Sequence, residues 1–86
     1  MENRRDLPDY RQMTGAKVVC NDGPVYSYSA KELEKFLRFL LFEKGWFHMG
    51  FKEHADIIQI MLEKGYEKIH VMVNLQKDYV WIEEAD

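Results

Sequence analysis

The 86-residue sequence predicts an α+β fold. Two helices pack on a small, mainly antiparallel sheet, in the order N-terminal hairpin, helix, helix, C-terminal hairpin. Three observations carry this prediction. Leu33, Phe36, Leu37, Leu40 and Leu41 fall on one face at helical spacing. Residues 68–83 hold two runs rich in Val, Ile, Tyr and Trp, separated by Asn74-Leu75-Gln76-Lys77. Asp22-Gly23 is a tight-turn signal between two further β-like runs.

In chain order, residues 1–16 (MENRRDLPDYRQMTGA) mix Pro, Gly and charge without an apolar period. They read as a flexible N-terminal tail, which leaves 17–86 as a single globular domain. AKVVC (16–20) and VYSY (25–28) flank NDGP, where Gly23 accepts the positive φ of a tight turn. Pro24 opens the second run, where a missing ladder donor is tolerated. Ser29-Ala30-Lys31-Glu32 has the form of a capping box, with the Ser29 hydroxyl and the Glu32 side chain satisfying each other's backbone N–H. The first helix is expected over Ala30–Lys44, and burying its five apolar side chains is worth roughly 10 kcal/mol before chain entropy is subtracted.

A second helix is expected over Lys52–Lys64. Ile57, Ile58, Met61 and Leu62 would face the core, Phe51 would lie at the edge, and His54 would be a core histidine in the first turn. EKGW (43–46) recurs as EKGY (63–66), and both read as helix endings. Gly45 and Gly65 would take the left-handed conformation, with Trp46 packing on Leu41 and Tyr66 on Met61. The last two strands, Lys68–Val73 and Asp78–Glu83, carry bulk on both faces. One face is therefore expected to meet the helices and the other to be partly covered.

The balance of 47% apolar and 31% charged residues is that of a globular domain. The longest apolar run, Phe39-Leu40-Leu41-Phe42, is far short of the about 20 residues that cross a bilayer. The lone Cys20 forms no internal disulfide. Together these lead to the expectation of a cytoplasmic chain with no membrane segment. The net charge of -3 arises in residues 66–86, where two lysines oppose five acids. That is too little charge to imitate a nucleic acid.

Catalytic grammar is missing. The sequence has no Gly-x-Ser-x-Gly elbow, phosphate-cradling loop or dinucleotide fingerprint. Neither a CxxC nor an HxxxH pair occurs, so no catalytic residue, metal ligand or cofactor is expected. The unusual stretch is FEKGWFHMGF (42–51). Lys31, Lys35, Arg38 and Phe42 line the helix face opposite the leucines, with Phe39 on the flank, and Trp46, Phe47, Met49 and Phe51 crowd the corner that follows. The plain reading makes Trp46 a helix-capping contact and the bulky residues of 47–51 plugs between two helices and a sheet. The functional reading makes all nine an interaction surface, because interfaces enrich aromatic, Met and Arg side chains. The chain is thus expected to be a small non-catalytic protein-interaction or regulatory module, binding a protein partner or a second copy of itself. The alternative is a winged-helix-like nucleic-acid binder with Asn74–Lys77 as its wing. Lys31, Lys35 and Arg38 would supply about three phosphate contacts, against the about 6–10 of strong salt-dependent duplex binders, which implies weak and mostly non-specific affinity.

Overall fold

A computed structural model describes residues 8–85 of the chain. The elements are α1 (Tyr10–Thr14), β1 (Val18–Cys20), β2 (Val25–Ser27), α2 (Ala30–Phe42), β3 (Phe47–His54), β4 (Ile57–Lys64), β5 (Glu67–Asn74) and β6 (Tyr79–Glu84). The six strands form one antiparallel sheet in the order β1-β2-β6-β5-β4-β3. The α+β class and both terminal hairpins are present.

The second helix expected over 52–64 is not. Those residues form the end of β3 and all of β4, joined at Ala55-Asp56. Three β-branched isoleucines, Ile57, Ile58 and Ile60, favour the pleated surface over a helix. The other helix is α1, inside the stretch read as a tail. Asp9 caps it by accepting the backbone N–H of Gln12 at 3.1 Å, and Gly15 closes it at φ 78°. Tyr10 is fully buried, its ring 4.8 Å from Phe36 and 5.3 Å from Tyr26. Tyr10–Thr14, inside the stretch read as a tail, are thus helical with Tyr10 packed in the core, and the first seven positions of that stretch lie outside the described residues.

Cross-strand partners show which residues share a face of the sheet. Ile58, Val73, Val80 and Tyr26 form one row; Ile60, Val71 and Ile82 a second; Leu62 and Ile69 a third. These rows meet Phe36 and Leu40 of α2 and make the core, with Leu33, Leu37 and Leu41 packed against it. Helix α2 thus buries the face that its apolar period predicts. Ser29 is its N-cap in extended conformation, but the hydroxyl makes no capping hydrogen bond, so the capping box is not formed.

The repeated EKG stretches have different outcomes. Gly45 (φ 81°) follows α2, and the Trp46 N–H donates to the Leu40 carbonyl at 3.0 Å. Gly65 (φ 63°) instead turns β4 into β5, and Tyr66 stands 100% exposed rather than on Met61. His54, read as a core histidine, is exposed at the end of β3.

Candidate functional site

The nine residues read as one surface separate into three places. Trp46 is 6% exposed and belongs to the core, whereas the reading of the bulky 47–51 residues as plugs does not hold for Phe47, Met49 and Phe51. Lys31, Lys35, Arg38, Phe39 and Phe42 remain together on the outer face of α2. Phe47, Met49 and Phe51 lie on β3, the last strand of the sheet, with 67%, 55% and 59% of their surfaces exposed.

On the outer face of α2, Glu34 and Glu43 share a shallow depression with the three cations. Arg38 is 3.7 Å from the Glu34 carboxylate, and its guanidinium lies 6.0 Å from the Phe42 ring centroid. The Lys44 ammonium sits 5.4 Å over the Phe39 ring. Arg38 is already engaged by Glu34 and Phe42, and a single convex helix cannot enclose a ligand. These residues solubilise the helix more than they build a site.

Strand β3 has a different architecture. Between His48 and Gly50 its register against β4 slips, so that Met49 is a bulge. Gly50 holds φ 150°, a conformation that side chains disfavour. The bulge reverses the alternation: Phe47 pairs with Glu63 on the face away from α2, whereas Phe51 pairs with Ile60 on the helix side. Regular pairing then runs from Gly50 to His54 opposite Met61 to Ile57. The outer side of this stretch has no neighbouring strand among the described residues.

Beside this edge, on the helix side, opens a groove of about 320 Å³. Leu37 and Leu41 of α2 form one wall, His48 and Phe51 of β3 the other, and Ile58, Ile60 and Leu62 of β4 the floor. It exists because α2 packs over the middle of the sheet and stops short of β3. The apolar face of α2 is readable from its period. That the groove meets an edge strand was hidden by the helical reading of 52–64.

No group of three His, Cys, Asp or Glu side chains could hold a metal among the described residues. His48 lines the groove, His54 ends β3 and His70 lies on the opposite face of the sheet, so the three histidines do not converge. Cys20 is exposed at the end of β1. The winged-helix arrangement needs a recognition helix where β3 and β4 stand. No helix among the described residues is long and apolar enough to cross a membrane. Comparison with protein-family models, curated proteins and solved structures finds no match to this chain.

Proposed function

We propose that the chain is a small non-catalytic protein-interaction module that accepts an extended segment of a protein partner along β3. The observation that carries this reading is the conjunction of an unpaired edge from Gly50 to His54 with an apolar groove directly beside it. An added strand gains main-chain hydrogen bonds from the edge, while a side chain entering the groove supplies selectivity. The groove's size suits one or two large apolar side chains, and its near-absence of charge favours a segment that is itself apolar there. The outer face of α2 is not needed for this.

Display of random peptides of about ten residues on the purified protein tests the reading. The expected result is enrichment of extended, apolar-containing peptides that shift the backbone NMR signals of Gly50–His54, Leu37 and Leu41. Proline at the centre of an enriched peptide should abolish binding, because it removes a ladder donor. Phe51→Lys, at an exposed position, should weaken binding at least tenfold without unfolding the chain. Failure to enrich any peptide, or shifts confined to the outer face of α2, would overturn it.

A further inference from the structure

The face of the sheet opposite α2 carries Ile57, Met61, Met72, Tyr79 and Trp81, all partly exposed, and none of them packs against the core. Their cross-strand partners place them together. Gln59, Met72 and Trp81 form one row, Met61, His70 and Glu83 the next, and Ile57, Asn74 and Tyr79 the third. Helix α1 does not cover this face, since Tyr10 packs on Phe36 and Tyr26 on the other side. We infer that this face is the contact surface for a second copy of the chain, making a two-fold dimer in which the two sheets pack together and the helices lie outside.

Charge complementarity selects a second copy as the occupant. A two-fold axis along the strands, midway between β4 and β5, lays β4 of one copy over β5 of the other. Glu63 and Lys68 are cross-strand partners in one row, 4.0 Å apart within the chain. The same axis therefore sets Glu63 over Lys68 of the second copy and Lys68 over its Glu63. It also lays β3 over β6, bringing Lys52 above the row of Trp81, one row from Glu83. Trp81 Nε1–H donates to the Glu83 carboxylate at 2.8 Å, which satisfies the indole's one donor within the chain. Among the described residues, Lys52 and Lys68 balance Glu63 and Glu83 on this face, so its own charge does not oppose association.

The area is sufficient. Strands β3 to β6, about 4.8 Å apart and on average about 24 Å long, span roughly 450–500 Å² of flat sheet in each copy. The pleat and the standing side chains carry the two-copy total into the lower part of the about 1,200–2,000 Å² of stable interfaces. Met61 and Met72 lie beside the axis, Tyr79 and Trp81 one strand further out, and the Glu63–Lys68 pairs at the end of the face.

Light scattering on the full chain over a concentration series tests this. The expected mass is twice the 10.3 kDa of one chain, with Trp81→Lys raising the dimer dissociation constant at least tenfold. Glu63→Lys should weaken the dimer similarly, and Glu63→Lys combined with Lys68→Glu should restore it. That rescue decides the matter even where the tryptophan variant fails to fold. Phe51→Lys, which removes peptide binding at the β3 edge, should leave the dimer intact and so separates the two surfaces. A single-chain mass at every concentration up to about 1 mM, or a dimer broken by Phe51→Lys and untouched by the Glu63 and Lys68 changes, would overturn the inference.

Discussion

Tyr10 is fully buried, and its hydroxyl has no hydrogen-bond partner among the described residues. A buried polar group left unpaired costs about 1–3 kcal/mol, whereas the ring itself packs on Phe36 and Tyr26. Tyr10→Phe is therefore expected to hold or raise stability, by up to about 2 kcal/mol in a denaturant titration, and a loss above about 1 kcal/mol would show that the hydroxyl has a partner. Burial, then the Glu32 carboxylate and Tyr28, push the Tyr10 phenol above its ordinary value of 10. The folded chain thus keeps a proton that the unfolded chain releases. Its contribution to stability is intact below about pH 10 and is lost as pH rises through the raised value. Chemical denaturation above pH 10 should show the wild type losing stability faster than Tyr10→Phe, with Tyr26, also raised by burial, leaving a residual slope in both. Ala55 makes the opposite case. It holds φ 56° in the β3–β4 turn, where an L-residue pays about 1–2 kcal/mol. Ala55→Gly relieves that strain at some cost in unfolded-chain entropy, and the net expectation is a gain of about 0.5–1 kcal/mol, or a few degrees in Tm.

Among the elements, α2 was legible because its core face follows a single period that nothing else in the chain imitates. Leu40 is fully buried beneath it, and Leu40→Ala is expected to cost about 2–5 kcal/mol by thermal or denaturant unfolding. The terminal hairpins were legible from their turn residues, down to Gly23 at φ 70°. Strand β4 was not, for a physical reason. Ile58, Ile60 and Leu62 point to α2 while Ile57 and Met61 occupy the opposite face. A strand apolar on both faces loses its period of two, and the positions 57, 58, 61 and 62 then mimic a helix. The EKG stretch reinforced the error, since a left-handed glycine ends a helix at Gly45 and turns a hairpin at Gly65 equally well. Helix α1 was missed because five residues are too few to show a period, and packing of Tyr10 rather than local propensity forms it. The candidate site was only half readable. The residues of the 46–51 corner were visible as unusual, but the bulge at Met49 that sends Phe47 and Phe51 to opposite faces has no sequence signature beyond Gly50.

At the scale of the whole molecule, one helical layer on a six-stranded sheet leaves both the long β3 edge and the far face of the sheet uncovered among the described residues. A partner strand is proposed for the first and a second copy of the chain for the second. Hydroxyl-radical footprinting at low and high protein concentration reads both at once, because the far face holds Met61, Met72 and Trp81 and the edge holds the 55%-exposed Met49. Packing of the two far faces protects Met61, Met72 and Trp81 as concentration rises while Met49 stays reactive. Reactivity at Trp81 and Met72 that is independent of concentration, or protection that appears at Met49 alone, would contradict it.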